Sequence, residues 1–422
     1  MPTDQPTPDP SFDCPHCQAP IPGYNLAESS YFACARCQTY FHYGDTGPME
    51  IITAFPPLPT PPALTLGQEG YLDGEWIRII GILRKREIQY EDSWLEYVLM
   101  TKQSEPLMLS EFRGHWMIIR PAEAVYKEEK SQTVREGDRE YALYNQYNCL
   151  ILNAVGEFSW NILDDAKLTI SEFIAPPHLV SRETGESQTE WYKATYKTPK
   201  EITAAFGLPE TALPQPLGVG ALQPSPAGLK RKTVGWFATR LALAVVVVQV
   251  LFFILKPPKT VFANPYFWDP DSTRQTRSEP IVSASFTLDN PGAVAIELKV
   301  SVDNNWFELP VSLVNEQSGQ TFDFTRIVEY YHGYEGGENW SEGAQDDKAI
   351  LSRIPAGNYH LNFYPSSEGK NRVSFQVKVI QNPILYSNFF VLLLLIAIYP
   401  IILYIQDKSF EHKRWAESDF GP

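Results

Sequence analysis

The chain has no Gly-Lys-Ser/Thr phosphate loop, no G-x-G-x-x-G after a strand, no H-E-x-x-H and no G-x-S-x-G, so nucleotide chemistry and the familiar hydrolytic motifs have no foothold in it. It is also short of positive charge: 35 Lys and Arg stand against 50 Asp and Glu, for a formal net charge of −15. Phosphate-backbone binding needs clustered Lys and Arg, and Arg36 is the sole Lys or Arg between Cys14 and Cys37, so nucleic acid is discounted as a partner. Cysteine is scarce, five residues with none after Cys149, and everything downstream must be held by its core without disulfides. No internal repeat of solenoid length is visible.

Four of those cysteines are placed tellingly. Cys14-Pro-His-Cys17 and Cys34-Ala-Arg-Cys37 are two C-x-x-C knuckles with sixteen residues between them. Each knuckle aims two sulfurs at one metal, and the spacing leaves room for a hairpin that brings the second turn opposite the first, as in a zinc ribbon over residues 12–45. Four thiolates fill a tetrahedral Zn²⁺ shell, so His16 and His42 are not needed and the site reads as structural. Two disulfides or spare thiols are the plainer alternative. Zinc thiolates belong in a reducing compartment and no signal peptide precedes them, which places the N-terminus in the cytosol. Residues 1–11 read as a disordered lead-in.

Two apolar segments, Val234–Leu255 and Ile384–Ile405, are long enough to cross a bilayer. Arg240 lies within two turns of the inner end of the first and can snorkel to the headgroups, while Pro400 kinks the second without stopping insertion. Lys230-Arg231-Lys232 before the first span, with Lys408, Lys413 and Arg414 after the second, add to the thiolate argument. Both termini then face the cytosol of a bacterial inner membrane, and residues 256–383 lie outside.

Proline-rich stretches mark the joints, a linker over 46–63 and a looser one over 207–233. Between them, residues 64–206 read as a mainly-β domain. Its strand candidates are the run from Trp76, then Leu95–Met100, Pro106–Ser110, His115–Ile119 and Tyr141–Leu152, closed by a short helix at Glu201–Phe206. An antiparallel barrel or curled sheet is the natural product. Residues 260–380 form a second β unit, a sandwich, and residues 406–422 a short cytosolic tail. The whole is a multidomain membrane protein: zinc ribbon plus mainly-β cytosolic domain, two transmembrane helices and an extracytoplasmic β-sandwich.

Trp94-Leu-Glu96-Tyr97, Gly156-Glu157-Phe158-Ser-Trp160 and the stretch from Ser181-Arg-Glu183 through Glu190-Trp191-Tyr192 resemble, in order, the prokaryotic domain-of-unknown-function family 4178, also called YjfK-like. The resemblance covers about a third of the chain and carries no catalytic residue. It implies a role at the cell envelope, beside phage-shock-type membrane-stress proteins.

Glu96 and Glu157, each among aromatics, are candidate functional carboxylates. Strand alternation is the simpler account: Trp94 and Glu96 share one face, opposite Leu95 and Tyr97. Cys149 sits in an apolar run and reads as a small buried hydrophobe. In the outer domain, a loop from Tyr330 to Asp347 gathers Glu335, Glu338, Glu342, Asp346 and Asp347 among glycines. Those oxygens suit Ca²⁺, and Tyr330, Tyr331, Tyr334 and Trp340 suit a glycan or protein partner.

With binding-type domains on both sides of a bilayer and no catalytic constellation, the expectation is a membrane-anchored, non-enzymatic sensor or scaffold with protein partners, acting in envelope stress. The alternatives are an enzyme or enzyme subunit that uses the cytosolic carboxylates, and a subunit of a transport or secretion complex.

Overall fold

The computed structural model describes residues 11–421 apart from 45–48, 90, 104–106, 124–125, 127, 131, 187, 271–278 and 369–370. The expected disordered lead-in falls almost wholly outside these residues, as does Pro106. The chain divides into two compact units, Met1–Val234 with Ile401–Pro422, and Gly235–Pro400.

In the first unit the N-terminal strands are β1 (Ser11–Asp13), β2 (Pro20–Pro22), β3 (Tyr31–Ala33), β4 (Thr39–His42) and β5 (Glu50–Ala54). β1 pairs β2 and β3 pairs β4, so each knuckle is the turn of its own hairpin. Strand β5 lies where the sequence suggests a linker. There β4 offers an edge, and Ile51 and Thr53 pair with Phe41 and Tyr40. The prolines that follow are fixed too, since Asn153 Nδ2 donates to Pro56 O at 2.7 Å and Pro57 O at 3.2 Å.

Next come β6 (Glu69–Leu72), β7 (Glu75–Glu87), β8 (Ser93–Thr101), β9 (Leu107–Phe112), β10 (His115–Pro121), β11 (Glu128–Lys130), β12 (Thr133–Glu136), β13 (Arg139–Tyr147), β14 (Cys149–Phe158), β15 (Thr169–Ala175), β16 (His178–Thr184) and β17 (Thr189–Lys197). All pairings are antiparallel, in the order β13-β15-β16-β17-β10-β9-β8-β7-β14. Only Asn148 separates β13 from β14. The path therefore begins and ends on what is nearly one strand, and the sheet closes into a barrel of eight staves. Where one strand was expected over Tyr141–Leu152, the chain breaks at Asn148, whose side chain donates to Leu168 O at 2.7 Å. Trp94 of β8 meets Tyr147 of β13 edge-on at 5.7 Å on the concave side.

A strand alternates its faces, so the barrel has a convex and a concave lining. On the convex side Ile77, Ile79, Tyr97, Leu109 and Trp116 pack beneath helix α1 (Pro199–Phe206) through Ile202 and Phe206. The helix starts at a capping box: Thr198 and Glu201 satisfy each other's backbone N–H, and Pro199 opens the first turn. It ends at Gly207 with φ 64°. Gly156 is required at its place, because a Cβ there would stand 2.2 Å from Ile80 O.

The cysteine hairpins are not a free-standing module. β3 pairs β14, with Ala33 opposite Gly156 and Tyr31 opposite Phe158, so the barrel sheet runs on into the cysteine hairpin.

Helices α2 (Pro226–Leu255) and α3 (Tyr386–Trp415) are each 30 residues, long and apolar enough to cross a membrane. The C-terminal end of α3 is packed rather than loose. Arg414 is fully buried and donates to Gly220 O at 2.9 Å, to Ala221 O and to Gln223 O at 2.6 Å, while Glu411 pairs with its guanidinium at 2.9 Å. Tyr144 OH donates to Arg414 O at 2.9 Å, and Asp407 accepts from Ser225 Oγ at 2.7 Å. The stretches read as a linker over 207–233 and a short tail over 406–422 are thus held to each other: backbone carbonyls of one segment satisfy the cation at the helix end that leads into the other.

The second unit holds β18 (Lys259–Trp268), β19 (Ile281–Val282), β20 (Phe286–Leu288), β21 (Gly292–Val300), β22 (Asn305–Asn315), β23 (Thr321–Glu335), β24 (Glu338–Gly343), β25 (Asp346–Ile354), β26 (Gly357–Phe363), β27 (Ser366–Ser367) and β28 (Val373–Gln381). One sheet runs β18-β28-β21-β25 and the other β19-β26-β22-β23-β24. Phe307, Leu309, Val311 and Leu313 of the second pack with Ile296, Leu298, Phe375 and Val377 of the first, a sandwich core of alternating residues.

Candidate functional site

The four knuckle sulfurs lie within 4.8 Å of one another. Cys14 Sγ is 3.7 Å from Cys37 Sγ and Cys17 Sγ is 3.8 Å from Cys34 Sγ, the edge expected of a tetrahedron with Zn–S of about 2.3 Å. The hairpins build this in the same way. In each, the first cysteine N–H donates across the turn, to Ala19 O or Thr39 O, and Gln18 and Gln38 take left-handed φ of 54° and 55° just after the second. Two matched turns thus aim four thiols at one point that a metal ion fits.

A cavity of about 810 Å³ occupies the concave side of the barrel. One end of the interior is filled by Leu83, Val98, Ala154, Phe158 and Ile162. Next along the same faces of β7 and β8 stand Lys85 and Glu96. Lys85 Nζ is 2.7 Å from Glu96 Oε2 and 3.0 Å from Asp165 Oδ2, a buried triad. Trp94 Nε1 donates to Glu96 Oε1 at 2.7 Å and Trp160 Nε1 to Asp165 Oδ1 at 2.9 Å. Burial works against the charge on Lys85, but the two carboxylates outweigh it and hold the ammonium well above its usual range.

Cross-strand register carries this face round the ring. Glu96 stands opposite Ser110, Ser110 opposite Met117, Met117 opposite Tyr196, Tyr192 opposite Ser181, Ser181 opposite Glu172, and Glu172 opposite Asn145. Burial pushes the Glu172 carboxyl up to about 7, against the pull of the Tyr147 hydroxyl that donates to it at 3.0 Å. Burial likewise raises Glu183 to about 7, with Lys85 opposing the shift. Cys149 is buried, as its apolar run suggests, and its thiol is pushed up to about 12 by desolvation. The far end of the cavity is covered by the segment around Leu222 and by the chain after α3, where Trp415 packs on Tyr144 at 5.5 Å and Ala416–Asp419 line the mouth.

The two sequence candidates part company here. Glu96 lies in the cavity wall, whereas Glu157 faces away and fastens the ribbon, its Oε1 accepting from Tyr24 N and Asn25 N at 2.9 Å each. Sequence reasoning found no lysine partner for Glu96 and missed Lys85, Asp165, Glu172 and Tyr147. The available signal was slight: Lys85 lies within the basic run Arg84-Lys85-Arg86, and Glu172 stands between Ser171 and Phe173 in a strand that otherwise holds no charge.

In the second unit the expected acidic loop is a hairpin. Strand β24 pairs β23 about Gly336-Gly337, whose φ of 63° and 95° makes the tight turn that glycines permit. Gly333 stands opposite Trp340, and Tyr331 opposite Glu342. The pleat therefore puts Tyr331 and Trp340 on one face and Tyr330 and Tyr334 on the other, so the four aromatics do not form a single surface. Trp340 and Tyr334 are exposed. The carboxylates Glu335, Glu338, Glu342, Asp346 and Asp347 do not converge: among the described residues, the only His, Cys, Asp and Glu group that can hold a metal is the four cysteines.

An antiparallel barrel with a lined interior defines the class of a small-ligand-sized β-barrel. Residues 65–199, about a third of the chain, match the family model described as "Domain of unknown function (DUF4178)", and these residues contain the barrel. No curated protein matches. Among solved structures, the chain is similar at 12% identity to the CBM22-1-GH10 modules of Clostridium thermocellum xylanase 10B complexed with xylohexaose, over 30% of this chain and 26% of that one, with a TM-score of 0.16. It is similar at 8% identity to infectious bursal disease virus Gx strain, over 83% and 67%, with a TM-score of 0.17. At such TM-scores neither likeness bears on fold or function.

Proposed function

We propose that the protein is a membrane-anchored, non-enzymatic sensor or scaffold whose DUF4178 barrel binds a small ligand. Helices α2 and α3 cross a bacterial inner membrane in this reading, with the ribbon and barrel in the cytosol and residues 256–383 outside, and the cysteine knuckles hold one structural Zn²⁺. The observation that carries the proposal is the position of the chain after α3. It lines the cavity and continues directly from α3, whose last turn is tied to the barrel through Tyr144. An event in the cavity and a displacement of the helix end are thereby linked. Protein partners, phage-shock-type membrane-stress proteins among them, would read that displacement or the outer sandwich.

Topology is tested with single cysteines introduced at Ser318 and Asp138, probed in spheroplasts with a membrane-impermeant thiol reagent. Labelling at 318 and protection at 138 is expected; the reverse pattern overturns the orientation. The binding role is tested by extracting the purified chain for co-purifying small molecules and repeating this with Trp94→Leu. A molecule retained by the first and lost from the second supports the barrel as receptor; identical extracts refute it. A second reading, a membrane-anchored enzyme, draws on the two carboxyls raised to about 7, Glu172 and Glu183. Chemical change of the retained molecule on incubation, abolished by Glu172→Gln, would favour it.

A further inference from the structure

We infer that the barrel cavity takes an elongated organic cation, a molecule bearing two or more protonated amines on an apolar backbone. The inference rests on the reading of the barrel as a binding module and names its ligand class.

The charges of the wall decide the sign. Ten of the lining side chains are carboxylic, and the permanent cations are Lys85 and Arg113. Both cations are already engaged, Lys85 by Glu96 and Asp165, and Arg113 by Asp92 at 2.9 Å and Glu417 at 3.3 Å. An anionic ligand would meet no uncommitted cation and would add charge to a wall that already carries an excess of its own sign. Glu172 and Glu183 make no ion pair with any described residue, and both are half-buried residues of the cavity wall.

Geometry then separates an organic cation from a metal ion. Ca²⁺ needs about six to eight oxygens gathered at one point, and Mg²⁺ a near-ideal octahedron. No three carboxylates converge in this cavity among the described residues. Instead they stand in two places on the ring, Glu96 on β8 and, apart from it, Glu172 and Glu183 on the neighbouring strands β15 and β16. A volume of about 810 Å³ is likewise far beyond one ion and within the range of small-molecule pockets, about 300–1,000 Å³. Dispersed negative charge in a roomy cavity matches charges dispersed along a chain. Between the carboxylates lie Trp94, Tyr147 and Tyr192, whose ring faces attract ammonium groups and whose apolar bodies suit the methylenes between them.

The test uses the full-length protein in detergent micelles at low salt, with isothermal titration of linear α,ω-diamines of two to ten carbons, the corresponding diols, Ca²⁺ and inorganic phosphate. Diamines are expected to bind and the diols not, with an optimum chain length and weakening at 0.5 M NaCl. Glu172→Gln and Glu183→Gln, which keep the shape of the carboxyl, should each lower affinity about tenfold while still unfolding in a cooperative melt, and Trp94→Leu should do the same. Equal binding of diols and diamines, binding of phosphate, binding of Ca²⁺ in preference, or no binding of any diamine overturns the cation. If the extraction experiment meanwhile yields a neutral or anionic molecule dependent on Trp94, the barrel remains a receptor and only the ligand class falls. If no molecule of any class binds, both fall.

Discussion

Lys85 offers the sharpest physical test of the barrel. Its ammonium is enclosed with Glu96 and Asp165, their side chains 9%, 11% and 12% exposed. Lys85→Met keeps the stem and removes the charge, leaving two carboxylates close together with no cation. Breaking a buried ion pair from one side costs about 3–5 kcal/mol. For a unit of this size roughly 2–4 °C of melting temperature is lost per kcal/mol, so a fall of roughly 10 °C is expected. The loss should shrink in acid, where the stranded carboxylates take up protons. It should also shrink in the triple variant Lys85→Met, Glu96→Gln, Asp165→Asn, which leaves hydrogen-bonding groups but no net charge. Thermal melts of the full chain followed by tryptophan fluorescence at pH 7.5 and 5.5 measure both effects. A loss under about 1 kcal/mol, or one that is the same at both pH values and is not relieved in the triple variant, would refute the reading of these three groups as a tightly coupled triad.

Three further outcomes are expected. Elemental analysis should find one zinc per chain, lost in Cys34→Ser, and chelation should lower the melting temperature of the barrel as well as of the ribbon, because β3 pairs β14. Because the folded-state carboxyls of Glu172 and Glu183 are raised from 4.5 to about 7, the native state binds more protons between those values, so stability should fall as pH rises from about 4.5 to about 7 and level off above, by at most roughly 3 kcal/mol per group; Glu172→Gln should flatten part of that slope in melts run across pH. Arg414→Met should leave the carbonyls of Gly220, Ala221 and Gln223 without their donor, and hydrogen exchange should accelerate by at least tenfold at residues 218–223 and 412–420 while the sandwich is unchanged.

Local pattern was enough to read much of this molecule. Strict alternation in Phe307, Leu309, Val311 and Leu313 announces a sandwich strand, and Thr198-Pro199 with Glu201 announces a helix start, because these are statements about neighbours in the chain. The C-x-x-C spacing is of the same kind. What stayed hidden depends on closure. That Glu172 shares a cavity with Glu96 follows only once Asn148 turns β13 into β14, and that Glu157 serves the ribbon follows only from a pairing across 125 residues of chain, Glu157 with Phe32. The acidic hairpin shows the opposite failure: Gly, Glu and Asp suggest a solvated loop, yet every position from Tyr330 to Glu335 pairs with β24 about two glycines.

The cap over the cavity has a history as well as a position. Tyr144 and Arg414 are 270 residues apart, and Ser418, which donates to Tyr144 O at 2.5 Å, is 274 away. Both long apolar helices and the whole sandwich lie between them. Domains form as they leave the ribosome, at about 5–20 residues per second, so the barrel can complete its ring roughly tens of seconds before Arg414 and Ser418 exist. During that interval the cavity stands open. The capping contacts then form only after α3 has been made, and a molecule already inside when it happens would be enclosed without ever passing the cap.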